Sequence, residues 1–336
     1  MLWLQLAIAA AVILGIATQL TKSADIIAFK TGLGRSFIGV VLLATATSLP
    51  ELGTGISSVT LIGGAAGANL AAGDAFGSNI FNLMIIGLLD ILWFNRYILN
   101  HVGMTSVIIG TLGIVVMSLA SVAIFLHRMI DAFSTWHVSP VSVVLIGTFA
   151  LAMYFIYRFD QLNQEADSGQ EKHKYSTHRL SVAVITYIFT ASVVIGSAIW
   201  LSMIGDSLAG ALGWDQSFMG TQFLAAATSL PELATSVVAI RIAAPELAIT
   251  NLLGSNLFNM GFVLFLNDAA HTEGAIWVNV SDIHMLTATL SVLMTAIVVL
   301  SVTSRPRTTR PGPITIESIS LIGLYIAASF LVFRLG

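Results

Sequence analysis

The 336-residue chain contains no cysteine and few charged residues. The absence of cysteine excludes disulfide bonds, thiolate metal sites and cysteine nucleophiles. Aspartate, glutamate, lysine and arginine make up only 9% of the residues, whereas a soluble domain carries roughly 25%. Because so few charges cannot cover a water-facing surface, a soluble globular enzyme is excluded. The net charge is only −3, so the chain has no basic field that would attract nucleic acid.

Apolar residues dominate instead. They make up 56% of the chain, and the mean hydropathy is +0.91. A transmembrane helix needs about 20 apolar residues, so the runs predict an all-α polytopic membrane protein with about ten transmembrane helices. The predicted spans are residues 2–20, 36–63, 70–94, 102–126, 138–157, 180–202, 217–241, 246–267, 283–303 and 314–334.

One hydrophilic stretch, residues 158–179, divides the chain into halves of five predicted spans each, residues 1–157 and 180–336. Of the 14 lysine and arginine residues, 12 fall in loops on the same side of the membrane as this linker, and the exceptions are Arg128 and Arg334. Basic loops stay in the cytoplasm, so we expect a cytoplasmic linker and both termini outside. The expected location is the plasma (inner) membrane.

The two halves contain an internal repeat. The heptapeptide ATSLPEL at 46–52 recurs at 227–233, and GSNIFN at 77–82 recurs with one change at 254–259. The offsets are 181 and 177 residues, so the second copy is four residues shorter, and the glycine-rich turn Gly63–Gly67 is the expected source of the difference. A unit of five spans must be followed by one of opposite orientation. Such inverted repeats with polar motifs in matching spans are typical of transporters.

The first motif places a glutamate inside an apolar run in each half, at Glu51 and Glu232. A carboxylate near the bilayer centre costs at least roughly 2.5 kcal/mol. A lone glutamate could be a structural residue bonded to a neighbouring helix, but two at matching positions are expected to share a polar cavity. Pro50 and Pro231 each remove a backbone N–H donor, which predicts a kink with a freed carbonyl in each helix.

Hydroxyl and amide side chains accompany the glutamates. Thr47 and Ser48 precede Glu51 by four and three residues and therefore share its helical face, and Ser78 and Asn82 share a face in the second motif. A packing seam of small residues would explain the glycine and serine but not the glutamates. Carbonyl, hydroxyl and carboxylate oxygens together are the ligands that hard cations such as calcium prefer.

The paired motifs resemble the alpha repeats of the calcium/cation antiporter superfamily, which includes sodium/calcium exchangers. The resemblance covers nearly the whole chain and implies ten helices in two inverted five-helix repeats, with cations bound between the second and third spans and their repeat mates. It implies inorganic cations and membrane lipid as partners, with no cofactor, no enzymatic activity and no obligate protein partner. The implied ligands are the Ala44 carbonyl, Thr47, Ser48, Glu51, Ser78 and Asn82, with the Ala225 carbonyl, Thr228, Ser229, Glu232, Ser255 and Asn259.

The chain departs from the family pattern at a few positions. Ala46 and Ala227 stand where glycine is usual, and Asn259 stands where several sodium/calcium exchangers have aspartate. Asp74 stands where asparagine is commoner and adds an intramembrane carboxylate. Asp74 could be a third acidic ligand, a proton carrier or a structural acid facing a vestibule.

Four other polar residues are expected to have structural roles. Asn79 and Asn256, inside the second motif, are expected to cap helix ends or to bond across the bundle rather than to bind an ion. Asp90 and Asp268 lie near the ends of spans and are expected to cap helices or to reach the interface.

These observations favour a secondary antiporter that exchanges calcium for sodium by alternating access. A calcium/proton or sodium/proton antiporter of the same fold is the alternative, and sodium is favoured because the Thr-Ser pairs supply neutral oxygens that a proton would not need. A passive cation channel is less well supported, since channel ligands usually ring a pore shared by several subunits. An intramembrane hydrolase is not supported because no histidine stands at credible spacing from a serine.

Overall fold

The computed structural model describes residues 2–33, 35–93, 97–130, 133, 136–167, 175, 177–212, 218–304 and 315–335, and these residues form helices and short connections. In this part of the chain nine helices are long and apolar enough to span a membrane, and a bent helix pair provides a tenth span. The spans are α1 (Leu2–Thr31), α2 (Ser36–Ile62), α3 (Gly64–Leu92), α4 (Met104–Met129), α5 (Pro140–Asp167), α6 (Leu180–Leu212), α7 (Thr221–Thr228 with Leu230–Arg241), α8 (Pro245–Ala270), α9 (Ile283–Ser304) and α10 (Ile316–Leu335).

Each predicted span corresponds to one of these helices, which confirms the all-α fold of about ten transmembrane helices. Several predicted ends are wrong: α1 continues to Thr31 instead of residue 20, α5 to Asp167 instead of 157, and α6 to Leu212 instead of 202. Hydropathy detects the apolar part of a helix, whereas backbone hydrogen bonding continues through polar residues such as Lys22.

The predicted linker 158–179 is shorter than expected because α5 extends into it. Residues 168–174 and 176 of the linker lie outside the described residues, as do residues 94, 217 and 314 at the ends of three predicted spans. Tyr175 lies against the end of α1, where its hydroxyl donates to Oδ2 of Asp25 at 2.8 Å and its ring contacts Phe29 edge-on.

The repeated motifs lie in the most buried helices. In each helix the most apolar stretch of 18 residues can be compared. This stretch is 83% buried in α8, 67% in α3 and 61% in α2, but only 22% in each of α5, α6 and α10. Because α2, α3, α7 and α8 pack against one another, the lipid-facing surface is left to the outer helices, and α1 packs along α6. The two copies of each motif are thereby brought to the centre of the bundle.

A π-helical turn precedes the glutamate motif in both halves, at Gly39–Ala44 and Met219–Leu224. In α7 the helix breaks at Ser229 and bends by 46°, as the proline predicts, with Pro231 in the first turn of the next segment. At Pro50 the predicted kink is not accompanied by a break, because Thr45–Ser57 is one α-helix. Local π turns and neighbouring helices can satisfy the backbone groups that a proline disturbs. The π turn before Pro50 also contacts α6, where Tyr187 donates to the Leu42 carbonyl at 2.7 Å.

Asp90 and Asp268 cap helices, which confirms one of their expected roles. The Oδ2 atom of Asp90 accepts hydrogen bonds from the hydroxyls of Thr315 and Ser318 at 3.0 and 2.8 Å, at the start of α10. The Oδ2 atom of Asp268 accepts one from the Ser139 backbone N–H at 2.7 Å, at the start of α5. Each aspartate therefore ties the end of a core helix to the start of an outer one.

Candidate functional site

The glutamate of each half is bonded to the motif serine of the other half. The Ser48 hydroxyl donates to Oε1 of Glu232 at 3.1 Å, and the Ser229 hydroxyl donates to Oε1 of Glu51 at 3.2 Å. Ser255 also donates to Oε1 of Glu232, at 3.2 Å. None of these five side chains is more than 1% exposed. The crossed bonds bring both copies of the first motif together, as the spacing predicted.

The motif threonines make a second pair of crossed contacts. Thr228 donates to Oδ1 of Asp74 at 3.0 Å, and its hydroxyl lies 3.4 Å from that of Ser78. In the mirrored position, Oγ1 of Thr47 lies 3.5 Å from Oδ1 of Asn251. Asp74 and Asn251 are repeat mates, since each stands four residues before the motif serine. Asp74 therefore belongs to the central cluster, and Asn251 is a member that the sequence reasoning missed although the 177-residue offset identifies it.

Four asparagines join α3 to α8. The side-chain amides of Asn79 and Asn256 each donate to the backbone carbonyl of the other, at 3.5 and 3.2 Å. Asn82 donates to Oδ1 of Asn256 at 3.0 Å, and Asn259 lies 3.5 Å from Oδ1 of Asn79. Asn79 and Asn256 thus bond across the bundle as predicted, and they orient Asn82 and Asn259.

The backbone carbonyls implied as ligands lie where the π turns meet the motif helices. Ala44 is the last residue of the first π turn, and Ala225 follows the second directly. Both residues are fully buried. The Ala225 carbonyl accepts from the Ser229 N–H at 3.0 Å, and the Ala44 carbonyl lies 3.5 Å from the Thr47 hydroxyl. π turns are frequent at functional sites, and no residue pattern in the sequence indicated them.

Several buried oxygens of this cluster have no hydrogen-bond partner. They are Oε2 of Glu51, Oε2 of Glu232, Oδ2 of Asp74, Oδ1 of Asn82 and Oδ1 of Asn259. A buried acceptor without a partner costs about 1–3 kcal/mol, and more when it is charged. Among the described residues no lysine or arginine is buried to neutralise the carboxylates. Unpartnered carboxylate and amide oxygens are suited to bind a hard cation.

The arrangement is a mixed oxygen cluster rather than a carboxylate cage. Within the described ranges, no group of three or more histidine, aspartate or glutamate side chains could hold a metal ion. An ion at the centre would therefore depend on the hydroxyl, amide and carbonyl oxygens as well as on the glutamates.

An open cavity of about 200 Å³ adjoins the cluster beside the second half of α2. Thr54, Leu70 and Leu224 line it, and each lies about one helical turn from a cluster residue. They neighbour Glu51, Asp74 and Thr228 respectively. The cavity also contacts Ile62 and Met203, so it approaches the cluster from the end of the bundle where α2 and α6 end.

The chain is similar to known membrane exchangers. The sodium/calcium exchanger protein family matches residues 1–158 and 182–334. The inner membrane protein YrbG of Escherichia coli (strain K12) is 25% identical over 257 residues, which are 74% of this chain and 74% of that protein. The sodium/potassium/calcium exchanger 1 of Mus musculus is 32% identical over 79 residues, which are 21% of this chain and 7% of that protein.

Solved structures of the sodium-calcium exchanger NCX_Mj have the same fold. The structure soaked with 2.5 mM Na⁺ and 10 mM Sr²⁺ is 20% identical in sequence to this chain. The two superpose with a TM-score of 0.69 over 98% of both chains. With 100 mM Na⁺ and 10 mM Sr²⁺ the identity is 19% and the TM-score 0.70, again over 98% of both chains. At this identity the similarity shows the fold alone.

Proposed function

Because the chain belongs to the sodium/calcium exchanger protein family, and is therefore an integral membrane cation exchanger and not an enzyme, we propose that it exchanges calcium for sodium. The crossed pair of glutamates carries the proposal. Each glutamate has one oxygen bonded to the other half and one without a partner, inside an apolar bundle. This arrangement gives one site two carboxylates from two inverted halves.

The proposed ligands come equally from the two halves, residues 1–157 and 180–336, which the linker 158–179 joins. Buried oxygen atoms at matching positions support this assignment. The ligands are the carbonyls of Ala44 and Ala225 and the side chains of Thr47, Ser48, Glu51, Ser78, Asn82, Thr228, Ser229, Glu232, Ser255 and Asn259.

Charge balance explains why the two cargoes would exclude each other. The carboxylates of Glu51 and Glu232 neutralise one calcium ion or two monovalent ions. Bare charges at 4 Å in a medium of dielectric near 4 interact with about 20 kcal/mol as an upper bound, so the pair cannot hold both cargoes at once. A loaded, neutral site can pass through the apolar bundle in alternating access, whereas an empty, doubly negative site cannot.

Sodium is the proposed coupling ion because neutral oxygens surround the glutamates. Ser48, Ser229 and Ser255 contact the glutamate carboxylates directly, and their hydroxyl oxygens can turn to a cation. A proton would need the glutamates alone. The buried carboxylates support proton coupling as the second candidate, in a calcium/proton or sodium/proton antiporter.

Coupled flux in reconstituted vesicles tests the proposal. Vesicles loaded with sodium and diluted into sodium-free calcium buffer should accumulate calcium, and an imposed pH gradient should not replace the sodium gradient. Calcium uptake that follows the pH gradient and ignores sodium would establish the second candidate. Uptake without either gradient, down the calcium gradient alone, would indicate a channel.

A further inference from the structure

The two halves of the cluster differ in charge at the repeat mates Asp74 and Asn251. Both side chains contact the motif threonine of the opposite half through Oδ1, at 3.0 Å for Thr228 and 3.5 Å for Thr47. Asp74 therefore keeps the contact that the amide oxygen makes in the other half. It adds a negative charge that this contact does not require.

The second polar atom of each side chain, Nδ2 in Asn251 and Oδ2 in Asp74, has different surroundings in the two halves. Nδ2 of Asn251 donates to the hydroxyls of Thr235 and Ser236, at 3.2 and 3.4 Å. The 181-residue offset of the first motif places Thr54 and Gly55 at these two positions. Oδ2 of Asp74 and Oγ1 of Thr54 both lack a hydrogen-bond partner. The first half therefore has two buried oxygens where the second half has a hydrogen-bonded amide.

The cavity described above borders this part of the first half. Thr54 is 8% exposed and lines the cavity, whereas Asp74 is 1% exposed. Leu70, one turn before Asp74, also lines the cavity. The cavity therefore reaches Thr54 itself and comes within one helical turn of Asp74.

The charges of the buried carboxylates also require another cation. Glu51, Glu232 and Asp74 carry three negative charges when ionised, one more than a calcium ion neutralises. No lysine or arginine is buried in the described part of the chain, and a buried charge without a counter-charge is strongly destabilising. A monovalent cation at Asp74 would complete the balance, whereas a second divalent ion would exceed it.

We propose that Asp74 and Thr54 form an auxiliary site for a monovalent cation, sodium under exchange conditions, at the edge of the central cluster beside the cavity. The inference rests on the proposed function, since it places calcium between the glutamates and sodium at Asp74 at the same time. Carboxylate and hydroxyl oxygens are ligands that an alkali cation accepts.

Binding of radioactive sodium to the purified full-length protein tests this site. In saturating calcium, which displaces sodium from between the glutamates, the wild-type protein should retain one sodium ion per chain. Asp74→Asn should retain none. Asp282→Asn is the matched control, because it makes the same substitution at an exposed residue paired with Arg128, and it should retain one.

A second variant covers the case in which Asp74→Asn does not fold. Thr54→Val removes the hydroxyl at nearly constant volume and should weaken the retained sodium at least several-fold. Equal sodium retention by the wild type and Asp74→Asn would overturn the site, as would unchanged sodium affinity in Thr54→Val. Absence of sodium-driven calcium uptake by wild-type vesicles would instead overturn the proposed function, so the two failures are distinguishable.

Discussion

Glu51 and Glu232 hold the charge on which the proposed exchange depends. Glu51→Gln or Glu232→Gln should abolish calcium transport without preventing membrane insertion, because the amide has the same shape and is cheaper to bury. Calcium uptake by vesicles measures the loss, and size-exclusion elution measures the fold. Glu273→Gln is a matched control, since this exposed glutamate lies before α9 and accepts a hydrogen bond from the Gly64 N–H at the start of α3. Wild-type flux in either central variant would disprove the assignment.

Ser48 and Ser229 distinguish sodium from proton coupling. Each hydroxyl contacts the glutamate of the other half, and a hydrogen bond to a charged group contributes about 1.5–3 kcal/mol. The double variant Ser48→Ala with Ser229→Ala should therefore lower sodium-driven calcium uptake by at least about tenfold.

The control for this double variant is Ser118→Ala with Ser320→Ala, because these serines lie away from the cluster and donate to carbonyls of their own helices. Its uptake should equal that of the wild type. If uptake in the central double variant survives, follows pH alone and ignores sodium, the sodium assignment fails.

At the scale of single residues the sequence located the cluster but not its connections. Glu51 and Glu232 are identified by identical flanks at a constant offset. The crossing of their hydrogen bonds to the opposite half was not predictable, because it depends on how two distant helices pack. The pairing of Asp74 with Asn251 was present in the 177-residue offset and required only that the repeat be followed outside the motifs.

The helices that carry the glutamate motif differ in geometry between the two halves. Proline predicted a kink in both, but only α7 breaks, with a bend of 46°, while α2 stays helical through Pro50. The π turn that precedes the first motif makes a tertiary contact, since the Tyr187 hydroxyl donates to the Leu42 carbonyl. A rule based on one residue cannot anticipate such a contact.

The four-residue difference between the repeats falls largely where the sequence predicted it. Gly64 to Gly67 form the first turn of α3 rather than a loop, so α3 starts 14 residues before Ser78 whereas α8 starts 10 before Ser255. The connection before α3 is reduced to Gly63, whose φ of 70° favours glycine. The glycines therefore permit a sharp reversal, and the extra residues lengthen a helix.

The capping aspartates carry a prediction about stability. Asp90 and Asp268 each accept a backbone N–H eight residues later, from Ile98 at 2.9 Å and Ile276 at 2.7 Å. Asp268→Ala or Asp90→Ala should lower the unfolding midpoint in detergent by at least several degrees, since hydrogen bonds to a charged group contribute about 1.5–3 kcal/mol. Asp282→Ala is the control, because surface ion pairs contribute about 0–1 kcal/mol. Unchanged midpoints in the capping variants would contradict this role.

The topology of the whole molecule can be read with introduced cysteines, because the chain has none of its own. Trp136→Cys, in the exposed loop between α4 and α5, should react with an impermeant thiol reagent in intact cells. Ser168→Cys, in the linker, should react only after permeabilisation, as the distribution of basic residues predicts. Labelling of position 168 from outside would invert the proposed orientation.

For the molecule as a whole, the composition and the internal repeat were sufficient to predict the fold class. Ten apolar runs and two duplicated motifs predicted an inverted bundle, and the helices of the structure match those runs. The packing of α1 along α6 was not predictable, because both helices are apolar on most faces and their sequences give no preferred partner.

The central claim is that one cluster binds either calcium or sodium but not both between its glutamates. Binding of radioactive calcium to the purified protein at increasing sodium concentration tests it most directly. We expect sodium to displace calcium completely, with a Hill coefficient above one because more than one sodium replaces each calcium, and Glu51→Gln to bind no calcium. Calcium that stays bound in saturating sodium, or that binds equally well to Glu51→Gln, would contradict the claim.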